Sequence, residues 1–189
     1  MKLQVEKLNL EFSGKEILHD ISFSIQEGEF VSILGPSGCG KSTILNILAG
    51  LIEDYSGQLF VDDERIKGVS SHFAYMPQND LLLEWRTILD NVCLYGEINH
   101  DKSMKQRAFK EFETFGLSGY ENAYPSSLSG GMRQRAAFLR TSLCKADILL
   151  LDEPTSRIDS LNEAALLESL KRIKDEKMII YQVFTRLFG

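Results

Sequence analysis

Gly35-Pro36-Ser37-Gly38-Cys39-Gly40-Lys41-Ser42-Thr43 follows directly on the apolar run Phe30-Val31-Ser32-Ile33-Leu34. The run predicts a strand. After the loop, Ile44, Leu45, Ile47, Leu48 and Leu51 recur at helical spacing, with Gly50 near the helix end. A strand, a glycine-rich loop and a helix in that order make a phosphate cradle. The glycines let successive backbone N–H groups point inward, and the helix N-terminus attracts anions. Lys41 adds a cation for the outer phosphates, and Ser42 offers a hydroxyl to Mg²⁺. A plain turn between a core strand and a core helix would leave Lys41-Ser42-Thr43 unexplained. Gly35, Pro36, Ser37, Gly38, Cys39, Gly40, Lys41, Ser42 and Thr43 are therefore read as nucleotide-binding residues.

The 189 residues suffice for one domain with a sizeable core, or a core with a small insert. A formal net charge of -6 argues against nucleic acid as the main partner. Three cysteines, Cys39, Cys93 and Cys144, stand far apart without a C-x-x-C pair, which points to a reducing compartment and no structural metal. The first residues, Met1 to Lys7, lack the apolar core of a signal peptide. No apolar run approaches the length that spans a bilayer. If the protein serves a membrane, it does so from outside the lipid.

Leu8, Leu10 and Phe12 alternate with polar residues, as do Ile21, Phe23 and Ile25. They predict two half-buried antiparallel strands with a turn near Ser13-Gly14. Leu59-Phe60-Val61 and Phe73-Ala74-Tyr75-Met76 predict further strands, the first ending in a turn at Asp62-Asp63, the second stopping at Pro77-Gln78. From about Thr87 to residue 145 the pattern turns helical. Ile88, Val92 and Tyr95 share one face, and Ala108, Phe112 and Phe115 another. Ile148-Leu149-Leu150-Leu151 reads as a continuously buried strand, and Met178-Ile179-Ile180-Tyr181 as one more. Leu166, Leu167, Leu170 and Ile173 lie on one face of a late helix between them. Strand-loop-helix units around apolar strands imply an α/β core with a parallel-containing sheet. The expected fold class is α/β with that core, an N-terminal antiparallel piece and an inserted helical subdomain at about 86–145, all within a single domain 1–189.

Two carboxylates, Asp152 and Glu153, end the strand at Leu151. In a phosphate-loop core that strand end lies beside the phosphates. Asp152 is read as an Mg²⁺ ligand, directly or through water. Glu153 is placed to act as general base on the attacking water. A second glycine-led helix start occurs at Leu128-Ser129-Gly130-Gly131-Met132-Arg133-Gln134-Arg135. Ser129 is a natural N-cap, and the glycines expose backbone N–H groups to an anion. Taken alone this reads as an ordinary capped helix start, but beside a phosphate loop it is a second such surface, and one nucleotide does not need two from one chain. A head-to-tail dimer does, because each second surface then covers the nucleotide held by the other copy.

Together these residues resemble the ATP-binding subunits of ABC transporters, from Met1 to about Tyr181. Residues 35–43 match Walker A, residues 128–135 the signature, and residues 148–153 Walker B. The resemblance implies ATP and Mg²⁺ as ligands. Gln78 matches the Q-loop glutamine, which contacts Mg²⁺ and the attacking water. Phe12 fits either the aromatic that stacks on adenine or a core residue. Ser129, Gly130, Gly131 and Asp159 fall where the family contacts the partner subunit and its nucleotide. The stretch from Asp80 to Val92, with Leu81, Leu82, Leu83, Glu84 and Trp85, looks like the segment after the Q-loop in importers of the nitrate, sulfonate and taurine group, to which subunits for thiamine-pyrimidine precursors also belong. There it helps form the groove for the coupling helix of the membrane subunit. Trp85 and the leucines are either partly exposed surface awaiting that partner or plain core. Glu84 stands where the family often has proline.

The implied function is an ATP-hydrolysing subunit that energises an ABC-type importer of a small solute. It would work as a homodimer, peripheral on the cytoplasmic face of the cell membrane, with transmembrane permease subunits and, indirectly, a solute-binding protein. The family's switch histidine after the last core strand has no counterpart, since the last histidine is His100. Arg157 replaces a small residue usual beside Asp159. These departures lead to the expectation of a truncated or frameshifted product, and to the alternative of a module that binds ATP with little or no hydrolysis. An ATPase acting on DNA or ribosomes would carry long coiled-coil inserts or tandem cassettes, and neither is present.

Overall fold

The computed structural model describes residues 2–154 and 177–184. They form two compact units, residues 2–75 with 146–152 and 177–184, and residues 76–145 with 153–154.

The first unit contains β1 (Lys2–Phe12), β2 (Lys15–Gln26), β3 (Phe30–Gly35), α1 (Lys41–Leu48), β4 (Ser56–Val61), β5 (Glu64–Ile66), β6 (Phe73–Met76, whose last residue opens the second unit), β7 (Ile148–Asp152) and β8 (Met178–Phe184). One sheet has the order β2-β1-β4-β5 and is antiparallel. Its hairpin turns fall where the sequence places them. Ser13 and Gly14 take φ values of 52° and 78°, and Asp62 and Asp63 take 51° and 66°. Left-handed turn residues match the right-handed twist of the flanking strands. The register sets Leu3 opposite Val61 and Val5 opposite Leu59, and all four are buried. The register slips between Glu6 and Asn9, with Lys7 at a φ of 47°. There β4 passes so close that a Cβ on Gly57 would lie 2.5 Å from the Lys7 carbonyl oxygen, so this position requires glycine.

The second sheet has the order β3-β8-β7-β6, with β8 parallel to both neighbours β3 and β7. Ile44, Leu45, Ile47 and Leu48 of α1 join one core with Leu3, Val5, Leu59 and Val61 of the first sheet and Ile148, Leu150 and Ile180 of the second. Full burial of such side chains stabilises by roughly 1.5–3 kcal/mol each. The helix stops at Leu48. Gly50 follows with a φ of 75°, and Leu51 falls outside the helical face and is exposed. β7 is buried at every position, as its unbroken apolar run demands. β3 is not. Its burial alternates, with Phe30 and Leu34 on the exposed face although the run reads as fully apolar, and among the described strands it lies at the edge.

The second unit is helical. It holds α2 (Ile88–Val92), α3 (Leu94–Ile98), α4 (Met104–Thr114), a 3-10 turn at Pro125–Ser127, and α5 (Gly130–Ser142). α2 packs on α4 and α5. Ile88, Val92, Ala108 and Phe112 are buried, and the rings of Phe115 and Phe138 lie 5.5 Å apart at 48°. The Thr87 side chain caps α2 by accepting from the Asp90 amide at 3.1 Å. The single face expected for Ile88, Val92 and Tyr95 is broken. Cys93 adopts φ -83°, ψ 0°, ends α2 and starts α3, and Tyr95 lies half-buried. The expected late helix with Leu166, Leu167, Leu170 and Ile173 lies outside the described residues.

Candidate functional site

α1 opens at Gly40, whose φ is 96°. A Cβ there would stand 2.8 Å from Leu18 Cδ2 and 3.1 Å from the Ile17 carbonyl oxygen. Only glycine takes that dihedral at that approach, and the approach is what presents the helix N-terminus to the loop. Lys41 then folds back into the loop, only 5% exposed. Its Nζ donates to the carbonyls of Gly35 at 2.8 Å and Pro36 at 2.7 Å. Among the described residues no carboxylate pairs with this ammonium. A desolvated cation satisfied by neutral carbonyls alone gains strongly from an anion. The lysine, the open glycine loop and the helix start therefore fit a phosphate chain.

Asp152 ends β7, buried, beside that helix. The Ser42 hydroxyl donates to its Oδ1 at 3.3 Å, and the Tyr75 hydroxyl donates to its Oδ2 at 3.3 Å. Burial pushes the Tyr75 phenol well above its ordinary pKa, and the neighbouring Asp152 charge adds to the shift. Tyr75 thus remains a hydroxyl donor that orients the carboxylate. A hydroxyl and a carboxylate are hard oxygen donors, the set Mg²⁺ prefers. Sequence reading selected Ser42 and Asp152 but missed Tyr75, whose place in an apolar strand reads only as core.

In the second unit, Gln78 Nε2 donates to Glu153 Oε2 at 2.7 Å. The sequence-selected polar groups thus pair as Ser42 with Asp152 and as Gln78 with Glu153, while Lys41 is held by the loop carbonyls. Glu153 has a φ of 48°. A left-handed non-glycine residue costs about 1–2 kcal/mol, so the chain turns sharply at the carboxylate where β7 ends. At the start of α5, the Ser129 hydroxyl accepts from the Met132 amide at 3.3 Å. Nothing lies within 4 Å of a Cβ placed on Gly130, so the helix start is open. Phe12 is 72% exposed, which removes core packing as its role. Leu82 is core, whereas Leu81 and Trp85 are exposed. Asp159 and Arg157 lie outside the described residues.

A parallel-containing sheet, a phosphate loop with a buried lysine, and a strand ending in two carboxylates define a phosphate-loop nucleotide hydrolase. The ABC transporter family model matches residues 18–156. The aliphatic sulfonates import ATP-binding protein of Bacillus cereus is 36% identical over 181 residues, covering 94% of this chain and 72% of that protein. A second such import protein, from Pseudomonas syringae pv. tomato, is 40% identical over 174 residues, covering 92% of this chain and 71% of that one. Among solved structures, a dimeric post-hydrolysis ATP-binding cassette bound to ADP and Pi matches with a TM-score of 0.85 and 27% identity, covering 96% of this chain and 87% of that one. The chain belongs to the ABC transporter family, as an ATP-binding and ATP-hydrolysing subunit.

Proposed function

We propose that this subunit drives import of a small solute, working as a head-to-tail homodimer beneath a pair of permease subunits on the cytoplasmic face of the membrane. The observation that carries the reading is that one chain holds two anion-attracting helix starts, at Gly40 and at Ser129-Gly130. The dimeric state of the matched cassette supports the pairing. The two relatives named above support an importer, and aliphatic sulfonates as the solute class to test first. We take residues 1–189 as one cassette with about 86–145 as its helical subdomain. Solute selection would rest with the permease and an associated binding protein. Nucleic acid has no part in this reading.

ATP would lie on residues 35–43, with Lys41 neutralising the outer phosphates and exposed Phe12 offering a face to the base. Ser42, Asp152 and Gln78 would hold Mg²⁺, which supplies charge neutralisation to the phosphate oxygens when bound. Glu153 takes a proton from the attacking water, and its bond from Gln78 keeps the carboxylate aimed. Ser129, Gly130, Gly131 and Asp159 would close on the nucleotide of the other copy.

The test is steady-state phosphate release by the purified chain with Mg-ATP, beside size-exclusion analysis of Ser129→Arg. Arginine at the cap fills the open helix start with a long side chain. ATP binding by the single chain should stay within about threefold of the parent, while ATP-dependent dimer is lost. Equal dimerisation by Ser129→Arg would contradict the sandwich arrangement.

A further inference from the structure

Tyr75 stands third in β6, where side chains alternate between two faces. Ala74 and Met76 are buried on one face. Phe73 and Tyr75 are half-buried on the other, packed against the core that α1 shares with both sheets. In the neighbouring strand β7, Ile148 and Leu150 belong to that same core, so the alternation brings Asp152 to the same face. Two adjacent strands thus set a phenol and a carboxylate side by side, on the face where α1 carries Ser42. A phenylalanine would fill the core space equally well. The hydroxyl is the part that packing does not need, and a half-buried hydroxyl costs free energy unless it is bonded. Its acceptor is the carboxylate.

Asp152 is buried, and an ionised carboxylate only accepts hydrogen bonds. The Ser42 hydroxyl donates to Oδ1 at 3.3 Å and the Tyr75 hydroxyl to Oδ2 at 3.3 Å, one donor on each oxygen. A carboxylate held in this way cannot chelate a cation through both oxygens without giving up the phenol. The divalent ions that accompany nucleotides differ in what they ask of a carboxylate. Ca²⁺ takes roughly six to eight oxygens and readily accepts both oxygens of one carboxylate. Mg²⁺ is octahedral, keeps several of its waters and does not need a chelating carboxylate.

We propose that Tyr75 is a positioning residue that holds back Asp152 Oδ2, so that the carboxylate meets the cation from its Ser42 side alone and the chain selects Mg²⁺ over Ca²⁺ on its nucleotide. The inference deepens the reading above, in which Ser42 and Asp152 hold the cation, and rests on it. The hydroxyl keeps its place because the ring that carries it is packed into a strand of the core rather than hung on a loop. Tyr75 acts through Asp152, so its effect should vanish when that carboxylate is gone.

The experiment titrates a non-hydrolysable ATP analogue into the full chain by calorimetry, in Mg²⁺, in Ca²⁺ and in EDTA. The chains are the parent, Tyr75→Phe, Asp152→Asn and the double variant, and each is also melted without ligand. Removing a partner that orients a metal ligand changes metal affinity by about 10–100-fold. The parent should therefore bind the Mg²⁺ complex at least about tenfold more tightly than the Ca²⁺ complex, and Tyr75→Phe should cut that preference to under about threefold. Affinity in EDTA should be the same for both. In the Asp152→Asn background, adding Tyr75→Phe should move the ratio no further. A ratio of two cations on one folded sample does not respond to a general loss of packing, which the melting curve records separately. An unchanged ratio in Tyr75→Phe overturns the proposal and leaves the phenol a core residue, and a further shift in the Asp152→Asn background overturns it by showing another route. So does a parent that binds both complexes equally, a result that needs no variant. A parent that binds the analogue as well in EDTA as in Mg²⁺ refutes the cation site itself, and one that binds in none of the three refutes the nucleotide reading. Either takes the inference with it.

Discussion

Lys41→Ala abolishes useful ATP binding while leaving the fold in place. The ammonium is desolvated and touches only the Gly35 and Pro36 carbonyls among the described polar groups, with Cys39 Sγ at 3.8 Å. Its removal relieves a buried charge at the same time as it unties two loop carbonyls, so the two effects on the free protein oppose each other. The bound state has no such compensation. A charged hydrogen bond to phosphate contributes about 1.5–3 kcal/mol, and the upper end expected at this burial is about 100-fold in Kd. Isothermal titration with Mg-ATP measures this directly. Melting gives a second view. At an ATP concentration 100 times Kd the parent gains about 2.7 kcal/mol, a rise of roughly 5–10 °C for a domain of this size. In Lys41→Ala at the same concentration the rise should be under about 2 °C. Unchanged affinity would remove the phosphate-loop assignment and with it the site.

Much of that site is legible in the sequence because its demands are local. A cradle needs glycines at fixed offsets, a lysine and a hydroxyl, and Gly40 shows the reason: its dihedral and its contact with Ile17 admit nothing else. Asp152 is legible because, with a phosphate loop in the same chain, paired carboxylates ending an unbroken apolar strand are better read as metal and water ligands than as caps of the following turn. Tyr75 is not, since its partner stands 77 residues away and an aromatic in a short apolar strand looks like core. The exposure of Phe30 and Leu34 is also hidden, because which face of a strand is covered depends on what packs against the sheet rather than on the strand's own residues. The contacts of α5 with residues 80–84, where Arg133 donates to the Asp80 and Glu84 carboxylates and Arg140 to the Asp80 and Leu81 carbonyls, are an intermediate case. Arg133 and Arg140 at a spacing of seven do mark one helical face, but only the fold shows that Asp80 and Glu84 lie against it. The split between α2 and α3 at Cys93 carries no turn residue at all.

Glu153→Gln should retain ATP and lose turnover. The substitution is nearly isosteric, and the amide oxygen still accepts from Gln78 Nε2, so the 2.7 Å contact survives. The sharp backbone turn at Glu153 is likewise a property of the chain path, set by the end of β7, and does not need the charge. What disappears is the ability to take a proton from water. General-base catalysis contributes roughly 10²–10⁴-fold, so phosphate release should fall by at least about 100-fold while Kd for ATP stays within threefold. In the proposed dimer each copy's nucleotide is held until it is hydrolysed. Slower hydrolysis then means longer closure, and ATP-dependent dimer should accumulate on size exclusion for Glu153→Gln and dissociate for the parent. The two readouts separate base from ligand. If turnover persists within tenfold, another group activates the water, and Glu153 serves only to anchor Gln78. If turnover and ATP affinity fall together, the carboxylate acts in binding rather than in the chemical step.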